Sequence, residues 1–421
     1  MTNNHDVNII VAGVGLTAVG EHWEKSLREL ALEAIVGAMT DAGGLKPQAM
    51  YIGNMLAPAL SRQSQLGALL ADFAGMRGIE AMAVEAGGAS GGVALRQAYL
   101  ALSSGLVSTA IVVGVEKVTD RVSNEVLAAQ MTSSDADYES VHGVTPTAQA
   151  AMLMRRYIYE YDVPREAFAG FSVTAHANAV TNPNAMFRRA IKPETYAKAG
   201  IVSDPINMFD AAPLTDGAAA VILAREDVLP GKLPHPSIRI AASTTSIDAV
   251  AIHDRPDPLI IEASKHSLDE AYRFSGYSTE DIDLFELHDI FSIYAVLSLE
   301  AGGFAKKGEG WKLALDDQIA RTGSIPICTF GGSKARGDTG GATGLYQAGE
   351  ATLQLQGRAG ENQIHDAKVA LVQCLGAQAP RPPPTFSPEL IPDERDLIGL
   401  ERALRLCFWY GTKKYTNAEE I

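Results

Sequence analysis

The stretch Val84-Glu85-Ala86-Gly87-Gly88-Ala89-Ser90-Gly91-Gly92 limits what this chain can fold into more than any other. It joins an apolar run to a helix-forming segment through a loop nearly devoid of side chains, and so bare a backbone can come very close to a ligand or to another backbone. Past the loop, residues 93–104 carry Leu95, Ala98, Tyr99 and Leu102 at helical spacing, and residues 106–115 are rich in β-branched side chains. The unit is strand, glycine turn, helix, strand. A second copy lies far downstream. Residues 325–330 are apolar and β-prone, Gly331-Gly332 breaks them, Gly340-Gly341-Ala342-Thr343-Gly344 opens a helix through Gln356, and residues 368–375 read as a strand. Two such units predict a duplicated α/β architecture.

Alternation of strand and helix begins at once. Residues 7–13 are a buried-type strand, residues 26–42 have helix periodicity through Leu27, Leu30, Ala31, Ile35, Met39 and Ala42, residues 50–53 are a short strand and 61–75 a second helix. The pattern predicts a mostly parallel sheet covered on both faces. From residue 116 to about 181 the segments become longer and more polar, with helices over 147–161 and 165–180, which reads as an inserted, mainly helical region. It carries Arg155, Arg156, Arg188, Arg189 and Lys192, either a solvated helix face or a phosphate-contacting one. Residues 216–223 turn into a buried strand, and the Gly/Pro-bearing run 231–236 is the expected boundary between halves.

The second half continues with a strand at 238–242, a helix over 259–275, an alternating strand at 282–287 and an apolar helix over 291–301. His288 thus falls at a strand terminus, where α/β proteins place ligand chemistry. Arg381-Pro382-Pro383-Pro384 ends the body, since successive prolines continue neither a helix nor a central strand. Residues 397–410 are an amphipathic tail ending in Phe408-Trp409-Tyr410, which needs a surface to lie on. The expected domains are 1–235 with its insert at about 117–205, then 236–380, then an extension over 381–421.

Charge and cysteine usage exclude several classes. A net charge of −15 argues against a nucleic-acid surface, which depends on clustered Lys and Arg. Any anionic ligand must therefore meet a local basic patch. Three cysteines, Cys328, Cys374 and Cys407, make no disulfide framework and have no metal-site spacing, which suits a reducing cytosol. Neither an export signal nor a membrane-spanning run is visible, so the expectation is a cytoplasmic protein without a metal or a tightly bound cofactor.

Six segments in order resemble the thiolase superfamily, specifically its archaeal and sterol-carrier-type members. They are V-E-A-G-G-A-S-G-G-V-A-L-R-Q-A-Y at 84–99, V-G-V-E-K-V-T-D at 113–120, N-P-N-A at 182–185, T-D-G-A-A-A at 215–220, E-L-H-D-I-F-S at 286–292 and G-G-S-K-A-R-G-D-T-G-G-A-T-G at 331–344. The resemblance covers roughly residues 7–380. It implies two stacked halves in a five-layered α-β-α-β-α thiolase fold, coenzyme A thioester substrates, a homodimeric core and a small OB-fold and zinc-ribbon partner.

Two departures from the family pattern decide the chemistry. The position of the family's nucleophilic cysteine aligns with Gly88, and that of the histidine activating it aligns with Asp338. A covalent acyl-enzyme needs a nucleophile, and losing one can cost on the order of 10⁶ in turnover. Reactions that need only a base and an oxyanion site survive. Retro-aldol cleavage of a β-hydroxyacyl thioester is one, and steroid side-chain aldolases of the superfamily also lack the cysteine. The alternatives are an acyltransferase with an atypical group and a non-catalytic acyl-CoA-binding scaffold.

By the same resemblance His288 is the candidate oxyanion donor and Cys374 the candidate acid/base. Asp338 is the candidate base, although a turn aspartate capping the next helix has the same sequence signature. Tyr294 and Tyr346 are candidate phenolic proton donors, against the commoner fate of core packing. Gly88, Ser90, Gly340 and Gly341 are expected to line a thioester cavity, and Arg188 and Arg189 to meet the phosphates of coenzyme A.

Overall fold

The computed structural model describes residues 7–229 and 233–376 of this chain. The proline run and the tail ending in Phe408-Trp409-Tyr410 lie outside the described residues.

Among the described residues ten strands are formed: β1 Ile9–Leu16, β2 Ala49–Gly53, β3 Glu80–Val84, β4 Thr109–Glu116, β5 Ile201–Ser203, β6 Ile206–Asn207, β7 Gly217–Arg225, β8 Ile238–Arg239, β9 Leu284–Glu286 and β10 Ala370–Val372. Six build one sheet in the order β3-β2-β4-β7-β1-β8. Only the β3-β2-β4 portion is parallel, because βαβ crossovers connect these strands, whereas β7 runs antiparallel to both β4 and β1. The sheet is therefore mixed, not mostly parallel as alternation suggested. The long insert between β4 and β7 is no crossover helix and lets the chain return in the opposite sense. The strand expected to open the second half, β8, pairs instead with β1 in this first sheet.

The Leu27–Asp41 helix covers one face of the sheet. Its start is written in Ser26 and Glu29, whose carboxylate accepts the Ser26 backbone N–H at 2.8 Å. Leu30 and Ile35 on its inner stripe are almost fully buried against the strands, and each contributes roughly 1.5–3 kcal/mol by leaving water. The other face is covered by the Ser90–Ser103 and Thr343–Leu355 helices, whose Ala94, Ala98, Leu345 and Tyr346 share a core with β1, β4 and β7. The Thr343–Leu355 helix also packs on the parallel pair β9–β10. It belongs to the second half by sequence and lies between two sheets, forming the central helical layer with the Ser90–Ser103 helix.

The second sheet is shorter than its sequence suggested. The apolar run 325–330 makes one bridge, Ile327 to Phe285, and no ladder. The Glu262–Ser275 helix is tied to this region by Gln373 Nε2 donating to Ser264 Oγ at 2.9 Å. The insert folds into helices at Ser123–Gln130, Pro146–Tyr161 and Ala169–Ala179 with the small β5–β6 ribbon. Among the described residues no helix is long and apolar enough to cross a membrane.

Candidate active site

The two glycine turns meet backbone to backbone. A Cβ on Gly91 would lie 2.9 Å from Gly341 O, and one on Gly344 would lie 2.8 Å from Gly92 N. These positions are glycine because the starts of the two central helices touch with no room for a methyl group. The duplication seen in the sequence is thus a physical contact between halves, and the candidate site stands beside it.

In the first turn Ser90 is fully buried. Its hydroxyl donates to Gly87 O at 2.6 Å and accepts the Ala86 N–H at 2.9 Å. It therefore braces its own loop and offers nothing to a ligand, a correction to the expectation that it lines the cavity. Gly88 N–H donates to Gly376 O at 3.1 Å. A side chain at 88 has no open space: its Cβ would stand 2.8 Å from Leu375 O and 3.1 Å from His288 Cε1. The neighbours are one imidazole edge and the backbone of residues 375–376. The cavity expected there is closed in this structure mainly by main chain.

His288 is 1% exposed. Its Nδ1 accepts the Leu375 N–H at 3.2 Å, so in the neutral ring the proton sits on Nε2, which is left as a donor. Burial, helped by the positive charge of Arg336, pushes its pKa down to about 3. Around neutrality the ring is an uncharged donor with a defined tautomer.

Asp338 follows Gly337 in the second turn, and its backbone is pinned to residues 213–215 through Asp338 N–H to Pro213 O at 2.9 Å and Thr215 N–H to Asp338 O at 2.8 Å. Its Oδ1 accepts Gly340 N–H at 3.1 Å and Thr343 Oγ1–H at 3.0 Å, capping the helix that follows. No described residue hydrogen-bonds its Oδ2. Burial raises its pKa to about 6, against those two hydrogen bonds and the nearby Arg336. The capping role is filled by Oδ1 alone.

Cys374 lies between the two turns, its Sγ 2.3 Å from where a Cβ on Gly92 would stand and 3.0 Å from one on Gly344. Its thiol donates weakly to Ala89 O at 3.9 Å, and burial pushes its pKa up to about 11. It is a protonated thiol near neutrality and no thiolate nucleophile.

The profile of the thiolase N-terminal domain matches residues 9–227, and that of the thiolase C-terminal domain-like family matches residues 244–380. Acetyl-CoA acetyltransferase of Methanothermobacter thermautotrophicus is 40% identical over 88% of this chain and 96% of its own length. The chain belongs to the thiolase family. Benzoylsuccinyl-CoA thiolase subunit BbsB of Thauera aromatica is 30% identical over 87% of this chain and 94% of its own. Among solved structures the Ltp2-ChsH2(DUF35) aldolase superposes with a TM-score of 0.74 at 24% identity, over 89% of this chain and 96% of that one.

Within this thiolase fold several expected site residues stand elsewhere. Tyr346 is fully buried, with its hydroxyl 3.0 Å from Thr17 Oγ1 and donating to Thr17 O at 3.1 Å. It is a core side chain joining the central helix to the end of β1. Tyr294 is buried against Phe291 at 5.7 Å, with Arg255 and Glu139 as its charged neighbours, and its hydroxyl has no hydrogen-bond partner among the described residues. Arg188 and Arg189 are exposed, without an ion pair among the described residues. They follow a segment whose Met186 and Phe187 N–H groups bond to Arg336 O and Ala335 O, each at 3.0 Å. Gly341 gives its N–H to Glu116, and the backbones of Gly340 and Gly341 face Glu116 and the loop after β2 instead of open space.

The structure adds residues that sequence reasoning passed over. Arg336 is fully buried, pairs with Glu350 Oε2 through Nη1 at 2.5 Å and lies 5.0 Å over the Tyr346 ring. Burial opposes its charge, but the carboxyl groups of Glu350, Asp289 and Glu286 outweigh this and hold it protonated. Asp289 accepts Ser333 N–H at 2.6 Å and so holds the residues leading into the second turn. The signal for these was present, a charged R and E inside otherwise apolar or glycine-rich segments. Their partners lie far away in sequence. Among the described residues no three His, Cys, Asp or Glu side chains could share a metal ion.

Proposed function

We propose that this thiolase-family protein acts on coenzyme A thioesters by retro-aldol cleavage of a β-hydroxyacyl group, or its reverse, without an acyl-enzyme. The observation that carries the reading is the pairing at residue 88, where no side chain is present and none fits, with a neutral His288 whose Nε2–H is a donor. Asp338, raised to about 6, supplies a base that is ionised near neutrality yet basic enough to accept a hydroxyl proton.

In the cleavage direction Asp338 Oδ2 takes the β-hydroxyl proton and the Cα–Cβ bond breaks. Its electron pair goes into the thioester as an enolate, and an aldehyde or ketone leaves. His288 Nε2–H donates to the enolate oxygen, and the thioester oxygen takes the place of Gly376 O at the Gly88 N–H. A proton returned to Cα from Asp338, or from the Cys374 thiol that Asp338 then reprotonates, gives the shortened acyl thioester and restores the starting groups. The exposed Arg188 and Arg189 meet the coenzyme A phosphates.

The acyltransferase reading draws on the 40% identity to an acetyl-CoA acetyltransferase. Against it, Ser90 has both its hydrogen bonds within its own turn and Cys374 is a high-pKa thiol. Assembly as a homodimer is supported by β3, an edge strand whose outer residues, Met82 among them at 38% exposed, leave a row of backbone groups unpaired. A small partner is supported by the Ltp2 aldolase neighbour, which is a complex with a DUF35 protein.

The test incubates the full chain, alone and with such a partner, with a panel of β-hydroxyacyl-CoA thioesters and measures carbonyl product and shortened acyl-CoA. Release of both in equal amounts supports the proposal. No release from any member of the panel, together with an acyl adduct by intact mass after acetyl-CoA, replaces it with the acyltransferase reading.

A further inference from the structure

Glu116 ends β4 in the V-G-V-E-K segment and takes no direct part in the chemistry above. It has no exposed surface, yet its two oxygens accept four N–H groups from two other segments. Oε1 accepts Asn54 Nδ2 at 2.9 Å and Leu56 N at 3.0 Å, while Oε2 accepts Met55 N and Gly341 N, both at 3.0 Å. A carboxylate is the side chain suited to this place, being acceptor only with about four lone-pair sites, and such charge-assisted bonds are the strong ones. Burial pushes its pKa up to about 7, and the four donors pull against that shift toward the ionised form.

The same carboxylate accounts for the double glycine of the second turn. A Cβ on Gly340 would lie 3.0 Å from Glu116 Oε2, and one on Gly341 would lie 2.6 Å from Met55 N. Gly340 also holds φ at +49°, a conformation that other residues rarely adopt. Gly341 is drawn against the loop after β2, and Gly340 fixes the Oδ1 side of Asp338 through its own N–H.

We infer that Glu116 is the positioning residue of the second glycine turn, clamping Gly341 to the loop at residues 54–56 and thereby setting where the Asp338 carboxyl stands. Its effect on turnover rests on Asp338 being the base proposed above. The clamp itself does not depend on which reaction the turn serves.

The test compares full-length wild type with Glu116→Gln and Glu116→Asp. Gln keeps the volume but turns an NH₂ toward two N–H donors, and Asp keeps the charge but falls one methylene short. Amide hydrogen exchange of the peptide over residues 338–345 is read against strand Gly217–Arg225 as reference. Losing the Gly341 bond speeds exchange at the turn about tenfold, with the reference strand unchanged. On any β-hydroxyacyl thioester that turns over, kcat falls about 10²-fold because the base is misplaced, while KM stays within about twofold because coenzyme A is held elsewhere. Should Glu116→Gln fail to fold, Glu116→Asp decides. Unchanged protection at residues 338–345 overturns the inference, and so does loss spread equally over turn and reference strand. Exchange needs no turnover, so a loosened turn in a protein without aldol activity retains the clamp and removes only the proposed reaction.

Discussion

Putting a side chain on residue 88 probes the central geometry directly. Gly88 is not among the glycines in the left-handed region, so alanine there meets no backbone objection and gains about 0.4–1 kcal/mol by restricting the unfolded chain. Packing works the other way. The new Cβ would lie 2.8 Å from Leu375 O and 3.1 Å from His288 Cε1, the first about half an ångström inside the ~3.3 Å at which carbon and carbonyl oxygen ordinarily meet. Relief requires residues 375–376 to move off. That weakens Gly88 N–H to Gly376 O and Leu375 N–H to His288 Nδ1, at about 1 kcal/mol for each bond. Overpacking of this kind costs about 1–3 kcal/mol. Gly88→Ala should therefore lose about 1–2 kcal/mol net, a fall in Tm of a few degrees, read by thermal and urea denaturation. Gly88→Cys should lose at least as much and form no acetyl adduct with acetyl-CoA by intact mass, since the backbone of residues 375–376 blocks the thiol and Asp338 replaces the histidine. A variant Gly88→Ala that melts above wild type, or a stoichiometric adduct on Gly88→Cys, would show that the space is open and refute the reasoning.

Three further outcomes follow from the same geometry. The rate of any base-dependent reaction should rise with pH through about 6, the raised pKa of Asp338; Asp338→Asn should abolish that limb and cost about 10²–10⁴ in kcat, measured as a pH–rate profile. His288 has a folded pKa of about 3, below the ~6.5 of an unfolded chain. The unfolded state therefore binds its proton first on acidification, so this group's share of stability is intact above about 6.5 and falls by up to ~1.4 kcal/mol per pH unit down to about 3. Urea midpoints of wild type and His288→Gln at pH 7 and 5 check the difference in slope. Gly92→Ala puts a methyl 2.3 Å from Cys374 Sγ and should cost about 1–3 kcal/mol. Adding Cys374→Ala, whose Cβ stands at an ordinary 4.0 Å, should recover at least about 1 kcal/mol in a double-mutant cycle.

Much of the architecture was legible locally. The helix starting at Ser26 announces itself through Glu29 three residues on, and the small-residue helices through the glycine turns before them. The sense of β7 was not legible, because its strong apolar run says nothing about direction once a long insert precedes it. Nor was the weakness of the run 325–330, whose neighbours in space make it a single bridge. Beside the glycine turns, His288 was marked by its place at a strand end, and Asp338 and Cys374 by the family resemblance. Tyr346 was singled out as well, but its hydroxyl belongs to Thr17, more than three hundred residues away in sequence. Glu116 was invisible as a functional residue because its four donors come from segments no local pattern connects.

The amino-acid order alone determined which groups are available: two bare turns able to touch, a glycine where a thiol would act, an aspartate where an imidazole would stand. Those are facts of composition at a position, and no folding alters them. What each group does was decided only by the folded chain. A tautomer depends on the backbone N–H of Leu375 arriving at one ring nitrogen, and the opposite shifts of His288 and Asp338 come from burial, which an arginine brought beside them reinforces at the imidazole and opposes at the carboxyl. Desolvation and Coulomb interactions act through space, so their outcome is written in distances that a linear sequence does not contain.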